Sequence, residues 1–148
     1  MDFFRLSLRS SLYYRRLDPP LWRPFDPAAA GSREETLFCF ALDPAQARRI
    51  DPEPEACLGS LGAAGTALPG GGPDTAGALE LPAGLYYFTQ VREWLDRAGC
   101  AAMAEELQKE GLWERRGLGA RLYLRRLFED GAPVTQFLRP LENEGPGP

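Results

Sequence analysis

The sequence contains no histidine, and Lys109 is the single lysine among its 17 basic residues. Without histidine, the chain lacks the commonest general base, the usual partner of serine and cysteine nucleophiles and the commonest ligand of catalytic zinc. This absence excludes most hydrolase mechanisms, so the sequence favours a non-enzymatic protein without a cofactor. The shortage of lysine, together with 16 glycines and 14 prolines, is typical of a GC-rich bacterial genome.

Cysteine is scarce too, with Cys39, Cys57 and Cys100 widely separated along the chain. This number and spacing fit neither a disulfide framework nor a zinc site, and they are typical of buried free thiols. A disulfide between Cys39 and Cys57 is an open alternative at this level.

Long apolar runs are absent as well. No segment approaches the roughly 18 to 20 apolar residues of a membrane helix, and the first residues do not build the apolar centre of a signal peptide. The length of 148 residues and the hydrophobic share of 44% are typical of one globular domain. We therefore expect a soluble cytoplasmic protein with one domain over residues 1–142 and a disordered tail at 143–148. The net charge of −4 argues against nucleic acid as a partner.

The first half of the predicted domain, residues 1–58, is expected to be mainly strand. Residues 4–8 alternate between apolar and polar side chains, which indicates a strand with one buried face. Residues 37–42 form a continuous apolar run that is typical of a buried strand. Asp43 and the proline after it predict an N-cap followed by a short helix at 44–50.

The second half is predicted over residues 79–142, after a flexible loop at 59–78 that is rich in glycine, alanine and proline. Its elements follow the order β-α-β-β: an aromatic strand at 85–90, a helix at about 91–110 and a β-hairpin at 121–138. We therefore expect an α+β fold in which this main helix packs on one face of an antiparallel sheet. Gly99 leaves open whether the helix is interrupted.

Three short motifs of this half resemble the second half of GyrI-like effector-binding domains. They are Leu-Pro-Ala-Gly-Leu-Tyr at 81–86, Arg-Leu-Tyr-Leu at 121–124 and Phe-Leu-Arg-Pro-Leu at 137–141. The resemblance covers about residues 79–142. It implies a ligand-sensing module of a bacterial regulator or a standalone protein, in which two β-α-β-β halves form a sheet whose open face holds a small molecule.

The first candidate ligand-binding residues are Arg121, Tyr123 and Arg125. The alternation of the strand at 121–128 places them on the face opposite Leu122 and Leu124. Where GyrI-like domains often carry a glutamate two residues before a tyrosine, this chain has Arg121 before Tyr123. Two arginines beside a tyrosine suit an anionic ligand. The alternative is a solvated outer face of an antiparallel sheet.

Aromatic residues supply further candidates. Tyr86 and Tyr87 lie on opposite sides of their strand, so at least one ring faces away from the helix and could stack on a planar ligand. Trp113 and Glu114 follow the main helix, where an aromatic ring and an acid could close a pocket. Core packing is the alternative for the tyrosines and for Trp113, with Glu114 as a surface charge.

A proline-rich loop at 18–27 carries Trp22 and Phe25, which are candidate partner-binding residues because large aromatics on loops often anchor interfaces. Docking of the loop on its own domain is the alternative. The sequence thus leads to two functional hypotheses. The first is a non-enzymatic small-molecule-binding or regulatory domain of the effector-sensing type, with an anionic or planar ligand. The second is a protein-interaction or homodimer-assembly module that uses this loop.

Overall fold

The structure is a computed structural model that describes residues 2–17, 35–67 and 77–142. Within these ranges the strands are β1 (Phe4–Leu8), β2 (Leu12–Leu17), β3 (Thr36–Ala41), β4 (Ser60–Ala67), β5 (Leu79–Leu81), β6 (Gly84–Val91), β7 (Arg121–Glu129) and β8 (Ala132–Pro140). The helices are α1 (Pro54–Leu58) and α2 (Arg97–Trp113). No helix in these ranges has the length and apolar character that crossing a membrane requires.

The eight strands form one antiparallel sheet in the order β1-β6-β8-β7-β3-β4-β2-β5. The pair β1–β6 at one end of this order and the pair β2–β5 at the other end are formed by the same two segments of the chain. Phe4 of β1 pairs with Phe88 of β6, and Tyr14 of β2 pairs with Leu79 of β5, so residues 4–14 run continuously against residues 79–88. The sheet therefore curls back on itself as a half-barrel.

The predicted α+β fold class, with a main helix packed on an antiparallel sheet and a β-α-β-β second half, is wrong. Strands account for 48% of the described residues and helices for 19%, and the described part of the chain is a curled sheet with two helices. The second half is not a separate module, because β1 pairs with β6 and β3 pairs with β7.

The flexible loop predicted at 59–78 is also wrong over 60–67, which form β4 between β3 and β2. The small residues of this segment were expected to leave it without a core. They instead let three strands approach closely: a Cβ atom on Gly65 would lie 2.7 Å from the Arg15 carbonyl oxygen. Glycine was therefore a sign of close packing here. Residues 68–76 lie outside the described part of the chain.

Helix α2 begins at residue 97 and not near residue 91. The Asp96 side chain is its N-cap and accepts a hydrogen bond from the Gly99 backbone N–H at 2.8 Å. Gly99 therefore lies in the first turn and does not interrupt the helix. Gly111 lies inside the helix, where a Cβ atom would come within 2.9 Å of Leu118 Cδ1.

The segment predicted as a helix at 44–50 forms turns. The Asp43 side chain does accept a hydrogen bond from the Ala45 backbone N–H at 3.0 Å. However, the carbonyl groups that would continue a helix bond elsewhere. The Gln46 and Arg49 carbonyl oxygens each accept from Gln108 Nε2 at 2.9 Å. One turn does form, because the Ala47 backbone N–H donates to the Asp43 carbonyl oxygen at 2.9 Å, but beyond it the Gln46 and Arg49 carbonyl groups accept these tertiary hydrogen bonds.

The predicted hairpin is confirmed by the pairing of β7 with β8. Its turn is made by Asp130 and Gly131, which have φ angles of 54° and 79°. Two successive positive φ angles are the geometry of a type I′ turn, which matches the twist of the strands and which an Asp-Gly pair adopts readily.

The sheet has two different faces. We call the side that packs against α1 and α2 the helix face, and its buried cluster includes Cys100, Ala104, Leu107, Leu122, Leu124 and Phe137. We call the opposite side the open face, and its cluster includes Tyr14, Leu37, Tyr86, Phe88, Tyr123 and Leu138. All three cysteines are free, so Cys39 and Cys57 do not pair.

Candidate ligand-binding site

Strand β7 divides its side chains between the two faces as the alternation predicted. Leu122 and Leu124 lie in the cluster on the helix face. Tyr123 lies in the cluster on the open face, together with Tyr86. Arg121 and Arg125 share the parity of Tyr123 and therefore also lie on the open face. The predicted register of this strand is confirmed.

A cavity of about 490 Å³ opens on this face between β3, β4, β5 and β7. We call it the arginine cavity, because Arg16 and Arg121 contribute to its wall. Cys39, Leu79, Glu80 and Tyr123 also line it. Its volume is within the range of about 300 to 1,000 Å³ that is usual for ligand pockets.

A second cavity of about 400 Å³ lies next to the first. We call it the tyrosine cavity, because Tyr86 and Tyr123 both line it. The two rings meet edge to face, with their centroids 6.0 Å apart. The Tyr86 hydroxyl donates a hydrogen bond to the Pro82 carbonyl oxygen, which fixes the ring against the turn between β5 and β6.

Arg121 and Arg125 have different partners although they lie on the same face of the same strand. Arg125 Nη2 is 2.8 Å from Glu35 Oε2, and this carboxylate also accepts a hydrogen bond from the Tyr14 hydroxyl. Arg125 Nη1 donates to Gln136 Oε1 at 3.0 Å. Arg125 is thus neutralised and does not line either cavity, so the structure does not place it with the other predicted ligand-binding residues.

Arg121 is exposed at the cavity wall. Over residues 2–17, 35–67 and 77–142, no carboxylate lies within ion-pair distance of its guanidinium group. Arg16, on the neighbouring part of the wall, donates through Nε to the Gly77 carbonyl oxygen at 3.0 Å and is likewise without a carboxylate partner in the described ranges. Among the described residues that line the cavity, two arginines thus face one carboxylate, that of Glu80, so the lining carries a net positive charge.

The Cys39 thiol lies near both positive charges. Burial raises the pKa of Cys39 from 9.0 to about 11, and the nearby charges of Arg121 and Arg16 act against this increase. Both guanidinium groups are therefore close enough to influence one sulfur atom. Because the thiol is neutral at pH 7, it does not compensate either cation.

Burial also raises the pKa of the Tyr123 hydroxyl, and the neighbouring Arg121 guanidinium opposes the increase. The Glu80 carboxylate acts in the other direction, adding to the increase of the pKa of both Tyr123 and Tyr86. The two phenols are therefore neutral hydrogen-bonding groups at pH 7. The Tyr123 hydroxyl can donate to a ligand, and the Tyr86 hydroxyl, whose proton goes to the Pro82 carbonyl oxygen, can only accept.

The other predicted ligand-binding residues lie elsewhere. Tyr87 is on the helix face, where its ring stacks with Phe3 at a centroid distance of 6.2 Å. Trp113 and Glu114 end α2, and Trp113 is 77% exposed. None of these three lines either cavity. The expected aromatic pocket at the end of the helix is therefore not formed with Tyr86, Arg121 and Tyr123.

Three residues with ionisable side chains that line the arginine cavity were not found by sequence reasoning: Arg16, Cys39 and Glu80. Arg16 has the parity of the buried Tyr14, so extending the two-residue period of β2 would have placed it on the same face. Cys39 lies in a run of apolar residues that gives no sign of which face is which. Glu80 follows the segment predicted as a loop. The partner-binding candidates Trp22 and Phe25, and the predicted tail at 143–148, lie outside the described residues.

Comparison with known proteins finds no matching family model, no matching curated protein and no matching solved structure. The resemblance of residues 79–142 to GyrI-like effector-binding domains therefore stays a hypothesis.

Proposed function

We propose that this protein binds a small anionic molecule in the arginine cavity and acts in the cytoplasm as a non-enzymatic, regulatory domain of the effector-sensing type. The observation that carries this proposal is the contrast between Arg121 and Arg125. Arg125 has a carboxylate partner from its own chain at 2.8 Å, whereas Arg121 faces a cavity without one in the described ranges.

The charge on Arg121 can be balanced by a ligand. A guanidinium group offers a planar fork of donors that matches a carboxylate or phosphate, and such charge-assisted hydrogen bonds are stronger than neutral ones. Arg16 supplies a second cation, and Tyr123 supplies a neutral hydroxyl beside Arg121. The GyrI-like resemblance supports the same face of the sheet, with the sign of the ligand charge reversed by Arg121.

Thermal unfolding with a panel of small anions tests the proposal, using acetate, benzoate and inorganic phosphate. A ligand that binds only the folded state stabilises it by RT ln(1 + [L]/Kd), which is about 2.7 kcal/mol at a hundredfold excess over Kd. We expect saturable stabilisation by at least one anion, and none by the matching neutral amide of a carboxylate.

The matched variants are Arg121→Met and Arg125→Met. The first should lose about 1.5 to 3 kcal/mol of binding free energy, the usual size of a charge-assisted contact, and the second should keep its affinity. Equal losses in both variants would contradict a site at Arg121. If no anion stabilises the wild type and the protein dimerises on size-exclusion chromatography, the alternative protein-interaction role is favoured instead.

A further inference from the structure

The two cavities are contiguous. They share four lining residues, Ala41, Pro82, Arg121 and Tyr123. Arg121 and Tyr123 therefore lie where the two cavities meet, and they do not close the end of either cavity. A ligand held by Arg121 can extend in either direction along the open face.

We infer that the two cavities form one bipartite site for an elongated carboxylate with an aromatic or otherwise apolar body. The carboxylate lies in the arginine cavity beside Arg121 and Arg16, and the apolar body passes Tyr123 into the tyrosine cavity. This inference rests on the proposed function and adds the class and the orientation of the ligand.

The charges set the orientation. Arg16 and Arg121 converge near Cys39 in the arginine cavity, where the thiol cannot neutralise them. Among the described residues that line the arginine cavity, these two guanidinium groups face a single carboxylate, that of Glu80. The tyrosine cavity shares Arg121 but not Arg16, and the carboxylate at its wall is that of Glu142. The anionic end of the ligand therefore lies on the arginine side.

The tyrosine cavity suits an uncharged, flat group. Tyr86 and Tyr123 meet it with rings that are nearly perpendicular, at an interplanar angle of 84°. An inserted ring could therefore stack on one of them and meet the edge of the other. Gly84 and Leu141 complete the wall without adding charge. Glu142 is the charged residue at this end, and its carboxylate lies 3.6 Å from the Arg48 guanidinium group, which offsets it.

Binding of an ω-phenyl carboxylate series to the full chain, measured by calorimetry, tests the inference. The probes are phenylacetate, 4-phenylbutyrate and 6-phenylhexanoate. If the body enters the tyrosine cavity, the affinity should rise by about fourfold for each added methylene group that is buried. Phenylacetate should bind weakly, because it occupies the arginine cavity alone.

Ala120→Trp separates burial in this cavity from nonspecific binding of apolar compounds. Ala120 lines the tyrosine cavity and does not line the arginine cavity. The substitution should abolish the gain with chain length and leave phenylacetate binding unchanged. Ala102→Trp, at an exposed position of α2, is the matched control and should keep the gain. If Ala120→Trp does not fold, Ala83→Trp, at an exposed position that lines the same cavity, replaces it.

The outcomes are distinguishable. A chain-length gain that survives a folded tryptophan variant in the tyrosine cavity overturns the bipartite site. An affinity that is equal for all three acids also overturns it, while leaving the anion site of the proposed function intact. If none of the acids binds and the anion panel gives no stabilisation, the proposed function fails as well.

Discussion

The two faces of the sheet hold arginine in different ways. On the helix face, Arg139 is 1% exposed and donates to carbonyl and amide oxygens, and Arg126 is 2% exposed and lies over the Trp94 ring. On the open face, Arg125 has a carboxylate partner and Arg121 borders a cavity. All four belong to the hairpin of β7 and β8, so the difference comes from the surroundings of each side chain and not from the strands that carry them.

The comparison separates the arginines that stabilise the fold from the one that borders a cavity. The Arg139 guanidinium donates to the Gly119 carbonyl at 2.7 Å, the Ala47 carbonyl at 3.0 Å and Gln108 Oε1 at 3.0 Å. Burial lowers the pKa of Arg139 from 12.5 to about 10, yet the group stays charged at pH 7. Dipoles of the backbone and of one amide thus replace water around a cation. Arg121 instead lies exposed at the wall of the arginine cavity, where a ligand can reach its guanidinium group.

Replacing each of the four arginines in turn by methionine, and measuring the free energy of unfolding of each variant, tests this comparison. Methionine keeps an unbranched apolar stem and removes the charge and all hydrogen bonds. Arg139→Met should give the largest loss of unfolding free energy, about 3 kcal/mol or more, because it leaves several buried acceptors without donors. Urea denaturation would measure it.

The control for Arg139 is Gln108→Leu, which removes one partner of the guanidinium and the two hydrogen bonds to the Gln46 and Arg49 carbonyls. It should destabilise the protein as well, and its loss should not add to that of Arg139→Met, since the two side chains share a network. Full additivity would show that the network does not act as a unit.

Arg126→Met should cost about 2 kcal/mol, the usual worth of a desolvated cation–π contact. The guanidinium carbon lies 4.4 Å from the centre of the Trp94 ring, and Nη2 donates to the Leu95 carbonyl, so Arg126 holds the segment before α2 on the sheet. Hydrogen exchange should show earlier opening of residues 92–96 in this variant. Unchanged exchange there would contradict the anchoring role.

Arg125→Met should cost about 1 kcal/mol, because the side chain of its partner Glu35 is 20% exposed and can regain some water. Glu35 would keep the hydrogen bond from Tyr14. Adding Glu35→Gln to this variant should restore part of the loss, since it removes the unpaired charge. A double variant that is less stable than Arg125→Met alone would show that the ion pair is not what Arg125 contributes.

The local pattern of β7 could be predicted from the sequence, and its environment could not. Alternation predicted the two faces and the Asp-Gly turn predicted the hairpin, because both are set by neighbouring residues. The Trp94 ring that packs on Arg126 precedes a helix that was predicted to begin about six residues earlier than it does.

The fold class was missed for a related reason. β4 could be predicted only with the knowledge that the glycine- and alanine-rich segment at 60–67 pairs with both β2 and β3. These pairings join residues that are far apart in the sequence. Most of the residues that line the arginine cavity belong to β2, β3, β4 and β5. The residues of β7 were therefore found from the sequence, while Arg16, Cys39 and Glu80, which line the same cavity from other strands, were not.

Arg121→Met should be the mildest of the four variants, changing the unfolding free energy by no more than about 0.5 kcal/mol. The side chain is exposed and has no carboxylate partner in the described ranges, so the folded state loses little when the charge is removed. The same urea experiment measures this change. A loss as large as that of Arg139→Met would place Arg121 among the structural arginines and remove the basis of the proposed ligand site.

The smallest effect expected from Arg121→Met is on the titration of Cys39. The thiolate is the reactive form, so a thiol whose pKa is raised from 9.0 to about 11 should react with iodoacetamide at pH 8 about a hundredfold more slowly than an unperturbed one. Arg121 acts to lower this pKa, so its removal should move the midpoint of the pH–rate profile further upward, by less than about one unit.

Peptide mapping by mass spectrometry distinguishes Cys39 from Cys57 and Cys100. Arg125→Met, whose guanidinium is already neutralised by a carboxylate, should leave the midpoint in place, and an equal shift in both variants would mean that Arg121 has no special proximity to the thiol.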